Sequence, residues 1–435
     1  MHRTRLTAAI AAVALTGLAL AGCSSTSNAA GSAAGTKVTY MTWESTTTNT
    51  AFDATMKKFQ KSSGITVQRE AAPNSDYPQK LASLILSKKA PDFFWCTTAE
   101  AQNLADEGLL YDWSDKLDSG DGLKASGFAP GSLAMWKTQD GKVAGIPTLA
   151  NTFGFFYNAD TFKDAGLDAP KAGWTWDDMF SDIAALKKQD PSTTPLVNQW
   201  PLLTSPQGAS AYSVSNGGKP IVDDFVHATK VRADKTLTEG VQKFTDAIAA
   251  GQMTNPDYDS TNAMAAFSNG KVPLMFGGQW LQNFIAPNHP KMAWGFAPWP
   301  AGTVSNVQPI EANGVCSPST IKDPDAVWKT ISYLDTTGFN EAMKAQPVAP
   351  IAYTAGSKGY YASLEAGDDA SKSIAATAEY ELGTKDKFIT QFLDPWSTKA
   401  ADVVTTSWNP ALEGKKSVKS GVDGTVSGIE GLIKK

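Results

Sequence analysis

The chain has 435 residues, with 38 basic and 43 acidic side chains and a formal net charge of −5 at neutral pH. That balance argues against a nucleic-acid partner, which selects for a basic face, and the length exceeds what one compact core usually holds, so two lobes are expected. Thirteen Trp residues supply many flat apolar faces, each with a single polar handle.

Arg3 and Arg5 precede an apolar run over residues 6–20 that is too short to span a bilayer, the layout of an export signal. The run ends in Leu20-Ala21-Gly22-Cys23, and small residues before a cysteine there match the bacterial lipobox, in which Cys23 receives a diacylglycerol and becomes the mature N-terminus. Removing residues 1–22 takes the charge from −5 to −7, because Arg3 and Arg5 leave with no acid. Residues 24–36 are uncharged Ser, Ala, Gly, Thr and Asn, the composition of a flexible tether. Beyond Leu20 no apolar stretch approaches a membrane span, so the expected membrane attachment is the lipid and the expected location is outside the cytoplasmic membrane. Cys96 and Cys316 remain, and an exported chain can keep a disulfide. A bridge between them and two buried free thiols both stay open at this stage.

From Lys37 onward, short apolar segments alternate with amphipathic ones. Residues 38–43 read as a strand; Phe52, Met56 and Phe59 then recur at helical spacing, with Lys57, Lys58 and Lys61 off that face and Gly64 as a stop. Residues 65–69 read as a second strand. Tyr77, Leu81, Leu84 and Ile85 share one side of a second helix, and 92–96 form a third strand, apolar and aromatic after Asp92 as in strands buried on both faces. Strands linked by helices predict a parallel α/β sheet with its ligand crevice at the strands' carboxyl ends. The middle of the chain repeats this grammar. Residues 153–157 read as a strand, and Thr175 with Asp178 forms a capping box ahead of Met179, Ile183 and Leu186, closed by Lys187, Lys188 and Pro191. Val241, Phe244 and Ile248 mark a helix stopped at Gly251; 263–270 predict a short helix and 271–276 a strand, followed by a turn at Gln279 and Trp280.

Three motifs carry a resemblance. They are Pro91-Asp92-Phe93-Phe94-Trp95 with Gly108-Leu109-Leu110; Gly141-Lys142-Val143-Ala144-Gly145-Ile146-Pro147 with Phe156-Tyr157-Asn158 and Thr175-Trp176-Asp177-Asp178; and Ala266-Phe267-Ser268-Asn269-Gly270-Lys271-Val272-Pro273 leading to Gly278-Gln279-Trp280. In these the chain resembles the family 1 extracellular solute-binding proteins of ABC importers, the maltose-binding-protein-like group. The resemblance implies two α/β lobes joined by hinge strands, the type II periplasmic-binding-protein arrangement, with a ligand cleft between them. Residues 37–148 and 303–338 would form one lobe and 149–302 and 339–435 the other, behind a leader at 1–22 and a linker at 23–36. It also implies a monomer that captures a sugar or oligosaccharide and delivers it to permease subunits, with no cofactor, metal or catalytic group.

Carried over position by position, the resemblance places Trp43 and Glu44 at the end of the first strand facing the cleft, with Thr97 and Thr98 in a comparable place. Asn151 follows Ile146-Pro147 at a sugar-contacting position. Gln279 and Trp280 form a stacking turn, Trp396 in Leu393-Asp394-Pro395-Trp396 resembles a second stacking ring, and Glu311 and Asn313 follow the return crossing as further hydrogen-bonding groups. These types suit a sugar, whose hydroxyls need partners on desolvation and whose apolar ring faces an indole can cover. Tyr77, Trp200 and Trp299 read instead as core aromatics.

Other classes find less support. His2, His227 and His289 lack metal-ligand or nucleophile spacing, and Gly277-Gly278 and Gly217-Gly218 lack the spacing of a phosphate loop. Carboxylate pairs such as Asp177-Asp178, Asp223-Asp224 or Glu379 with Glu381 could serve glycoside hydrolysis, but the first reads as a helix cap and the others as solvated loops. A glycan-holding lipoprotein without a transport role is a third class. Within transport, a neutral polyol or compatible solute rivals the sugar. An anionic ligand would call for Arg in the cleft, and Arg69 and Arg232 read as surface residues.

Overall fold

The computed structural model describes residues 35–72, 76–119, 121–286, 291–389 and 391–434. The expected leader, the lipidation at Cys23, His2 and His289 lie outside the described residues.

The first three strands are β1 (Lys37–Met41), β2 (Thr66–Glu70) and β3 (Phe93–Thr97), and β1 lies parallel to and between the other two. The helix Thr46–Ser63 joins β1 to β2. Ser45 caps its start by accepting the Thr48 N–H, and Gly64 ends it at φ 74°, a left-handed conformation that needs no Cβ. Phe52, Met56 and Phe59 form its buried stripe, as their spacing predicts.

β4 (Ile146–Asn151) also belongs to this sheet, and β5 (Phe153–Asn158) opens a second one. The second sheet contains β6 (Leu196–Asn198), β7 (Leu274–Gly278) and β8 (Trp294–Pro298) in the order β6-β7-β5-β8. Its sides follow the two-residue period of a strand. Phe153 and Phe155 of β5, Leu274 and Phe276 of β7, and Leu196 of β6 enter one apolar cluster, while Phe156, Met275 and Val197 enter the other. The sheet is therefore buried on both faces. It is not the parallel repeat of the first that the alternating segments suggest, because β5 pairs antiparallel with both β7 and β8.

β9 (Gln308–Cys316) returns to the first sheet, where it pairs antiparallel with β3 and β4, and β10 (Lys387–Ile389) pairs parallel with its opposite end. β9 pairs with β4 from Ile146 to Asn151, and β4 leads through Thr152 directly into β5 of the second sheet. The segment around Ile351 also runs alongside, with its backbone bonded to Thr148 and Ala150 of β4. Cys96 on β3 and Cys316 on β9 form a disulfide, which decides between the two alternatives.

The helix Pro324–Tyr333 continues without a break through a π-helical turn at Leu334–Gly338 into the helix Phe339–Ala345. Phe339 packs edge-on against Phe52 at 5.0 Å and lies 5.8 Å from Trp95, so this helix sits on the first sheet. The expected limits had assigned everything after 338 to the other lobe. The packing changes side later, at the helix Asp369–Gly383, where Thr377 Oγ1 donates to the Phe296 carbonyl of β8 and Ser373 Oγ accepts the Phe296 N–H. The helices Asn409–Leu412 and Val418–Ile433 complete the second lobe, with Leu412, Val422 and Ile429 in its core beside Val241 and Phe244. Among the described residues, no helix is long and apolar enough to cross a membrane.

Candidate functional site

A cleft of about 650 Å³ opens where the strand ends of both sheets meet the crossing strands. Trp43 and Glu44 reach it directly beyond β1, and Thr97 at the end of β3. Their positions are held by local hydrogen bonds. The Trp95 indole N–H donates to Glu44 Oε1 at 3.0 Å, and Tyr77 OH donates to the Trp95 carbonyl at 2.7 Å, which sets the Tyr77 ring edge-on to Trp43 at 5.4 Å. Thr97 caps the helix Thr98–Asp106 in a reciprocal box with Glu100. Ser45 and Thr48 hydroxyls both donate to Gln346 Oε1, at 2.7 and 2.9 Å.

The floor comes from the crossing strands. Asn151 of β4 is the register partner of Glu311 of β9, and Asn313 lies two residues on, so all three face the cleft from one antiparallel pair. Their side chains make no hydrogen bond to any described residue. The second lobe closes the cleft with Trp280, Trp200, Asn283 and Phe284. Trp280 stands perpendicular to Phe153 at 5.3 Å and to Trp200 at 6.3 Å, so the two indoles make a right-angled aromatic corner.

Electrostatics set this site apart. Burial in the cleft wall pushes the Glu311 carboxyl up to about 7, with no hydrogen bond opposing it. Burial likewise raises Glu44 to about 7, although the Trp95 N–H pulls the other way. Both acids therefore sit near half-ionisation at neutral pH.

Seven of the ten expected contact residues line this cleft: Trp43, Glu44, Thr97, Asn151, Trp280, Glu311 and Asn313. Three do not. Gln279 is fully buried beneath the cleft, where its Oε1 accepts the Thr152 N–H at 2.7 Å and pins β7 to the start of β5. Thr98 is buried at the first turn of its helix and receives Gln391 Nε2 at 3.2 Å, a contact between the lips of the two lobes. A second lip contact brings a ring nitrogen of His227 to 3.1 Å from the Lys137 carbonyl. Trp396 packs on Phe392 at 5.2 Å, away from the cleft. Tyr77, read as core, is core at 2% exposed and also borders the cleft, whereas Trp200, likewise read as core, is 43% exposed and lines it. Trp299 is core, as expected.

The carboxylate pairs have structural work. Asp178 completes the Thr175 capping box, Asp177 pairs with Lys243, and Asp223 accepts the backbone N–H groups of Thr229 and Lys230. Glu381 is not a solvated loop residue but lies buried in a helix, accepting the Trp299 N–H. Arg69 is spent on Asp53, bidentate at 2.8 and 3.0 Å.

Residues 54–367 match the family model described as bacterial extracellular solute-binding protein. A binding protein of Brucella abortus (strain 2308) is 24% identical over 309 residues, covering 65% of this chain and 68% of its own length. The Multiple sugar-binding protein of Streptococcus mutans is 28% identical over 173 residues, covering 38% and 40% respectively. Among solved structures, the cyclic alpha-maltosyl-1,6-maltose binding protein from Arthrobacter globiformis superimposes with a TM-score of 0.74 at 20% identity, covering 92% of this chain and 99% of that one. The ABC substrate-binding protein from Listeria monocytogenes in complex with cycloalternan gives 0.72 at 20% identity over the same shares. Likeness at that identity speaks to the fold, the two-lobed type II arrangement described above. Since the family model spans well over half of its residues, the chain belongs to the bacterial extracellular solute-binding proteins.

Proposed function

We propose that this chain is the extracytoplasmic binding component of an ABC importer, that it captures a sugar or oligosaccharide in the inter-lobe cleft, and that it hands this ligand to permease subunits as a monomer tethered through a lipid on Cys23. It carries out no catalysis in this reading. The observation that supports the sugar most directly is the pairing of an aromatic corner, Trp200 with Trp280, with unpartnered polar side chains at Asn151, Glu311 and Asn313 on the opposite floor. Rings cover the apolar faces of a sugar while amides and carboxyls take its hydroxyls. Among the described residues lining the cleft there is no Lys, Arg or His, which argues against phosphorylated or carboxylated ligands. The names of one relative, a multiple sugar-binding protein, and of one structural neighbour, a cyclic alpha-maltosyl-1,6-maltose binding protein, support a sugar, although relatives 30% identical over 99 residues are named for sn-glycerol-3-phosphate.

A thermal-shift screen of the purified protein against mono- and oligosaccharides, polyols and amino acids tests the reading. A ligand bound only by the folded state at a hundred times its dissociation constant adds about 2.7 kcal/mol, a shift of roughly several degrees. A shift with one sugar class supports the proposal. A shift with a polyol or amino acid and with no sugar keeps the importer role and removes the sugar. Lipidation at Cys23 is tested by the mass of the N-terminal peptide and by its loss in Cys23→Ala.

A further inference from the structure

The cleft holds three carboxyl groups, those of Glu44, Glu100 and Glu311, and no basic side chain among its described lining residues. Glu100 is accounted for, since its Oε2 accepts both the backbone N–H and the hydroxyl of Thr97. One oxygen of Glu44 takes the Trp95 indole N–H, and its other oxygen has no hydrogen bond to a described residue. Glu311 has none at all. Two acids therefore face the ligand space with acceptor capacity unused and no counter-charge from the protein. A metal ion is not the natural counter-charge, because no group of three His, Cys, Asp or Glu side chains among the described residues comes together to hold one. A neutral sugar can donate hydroxyls to these oxygens but brings no charge to offset them, so ionisation of either acid under it leaves a desolvated charge without a counter-ion, which is costly. A ligand that brings its own positive charge removes that cost, and indole faces attract cations as well as sugar rings.

Building on the sugar reading above, we propose that the ligand is a carbohydrate bearing a protonated amine, an amino sugar or short amino-oligosaccharide, whose ammonium group lies against Glu311 and the free oxygen of Glu44 while the Trp200–Trp280 corner covers its ring. The raised carboxyls add a signature. Near pH 6 both acids are largely protonated in the empty protein, and an ammonium partner favours their ionised forms, so binding releases protons.

The test is isothermal titration calorimetry of the purified protein at pH 6, in two buffers of different ionisation heat. Each neutral sugar of a mono- to trisaccharide panel is paired with its 2-amino-2-deoxy and its N-acetylated counterpart. The proposal expects the amine form to bind at least about ten-fold more tightly than both counterparts, with buffer-dependent heat that reports proton release. In Glu311→Gln, and independently in Glu44→Gln, that preference should shrink several-fold while circular dichroism and melting show a folded chain. Neutral sugars binding as well as the amines would overturn the amine and leave the sugar reading standing. Binding of putrescine or spermidine without any sugar would overturn the carbohydrate part of both readings, and no binding by any member of the panel would sink the two together.

Discussion

Glu311→Gln isolates the conflict between binding and stability in this cleft. The Glu311 carboxyl is held at about 7, against an ordinary value of 4.5, because the cleft wall strips it of water. Below 4.5 the folded and unfolded chains both keep the proton, and the group costs the fold nothing. Between these two values the unfolded chain ionises first, so stability falls as pH rises, and above 7 the full cost persists. That cost has a ceiling of about 3 kcal/mol, and water reaching the open face of the group reduces it to about 1–2 kcal/mol. Gln keeps the volume and removes the charge. The ligand-free variant should therefore be more stable than the parent at pH 8 by about 1–2 kcal/mol and nearly equal to it at pH 5. Urea unfolding followed by Trp fluorescence at both pH values measures this difference. Other buried acids shift in the same direction, Asp335 well above its ordinary value and Asp394 to about 6, but both chains share them and they cancel. An equal effect at the two pH values, or a loss of stability at pH 8, would refute the electrostatic account of Glu311.

With a ligand in hand, Trp200→Ala and Trp280→Ala should each weaken binding by about ten- to a hundred-fold by calorimetry, whereas Trp396→Ala, removed from the cleft, should leave affinity within about two-fold. Replacing Cys96 and Cys316 together by Ser should lower stability to denaturant by about 2–5 kcal/mol without changing the far-ultraviolet circular dichroism, because the bridge closes a loop across a sequence separation of 220 residues. Gly154→Ala should destabilise by more than about 2 kcal/mol or prevent soluble expression: its Cβ would stand 2.1 Å from the Ala297 carbonyl oxygen on the neighbouring strand β8, and the two strands would have to part. Retention of the parental melting temperature in that variant would show that β5 and β8 yield more easily than their pairing implies.

What was legible in the sequence was whatever depends on neighbours along the chain. The stripe of Phe52, Met56 and Phe59, the stop at Gly64 and the Thr175–Asp178 box each follow from spacing alone, and each is in place. The point at which the second lobe resumes is a long-range matter. Gly338 does not stop the helix that runs from Pro324 through Leu334–Gly338 to Ala345, and only the packing of Phe339 on Phe52 and Trp95 shows which sheet it serves. The direction of β5 is equally hidden, because an apolar run such as Phe153–Asn158 reads the same whether its partners lie parallel or antiparallel.

The site divides along the same line. Trp43, Glu44 and Thr97 were legible through the family resemblance, and their place agrees with the general rule that the carboxyl ends of strands in an α/β sheet open onto a crevice. One residue further on, that rule fails: Thr98 is already inside the helix, turned toward Gln391 at the lip. Trp200 follows β6 with no periodic signal, and its place in the aromatic corner depends on Trp280, eighty residues later in the chain. The floor has the most consequence for mechanism. Asn151 and Glu311 are register partners on the two strands that connect the lobes, so their separation is fixed by backbone pairing and does not depend on how far the lobes have closed. The aromatic corner belongs to the second lobe alone, while Trp43, Glu44 and Thr97 extend from the strand ends of the first. A ligand seated on the floor, as proposed, would meet polar groups of fixed separation and walls drawn from two different lobes. In the proposed reading, the ligand's length along the floor and the position of its charge decide whether both walls make contact, and contact with both would stabilise a closed form over an open one.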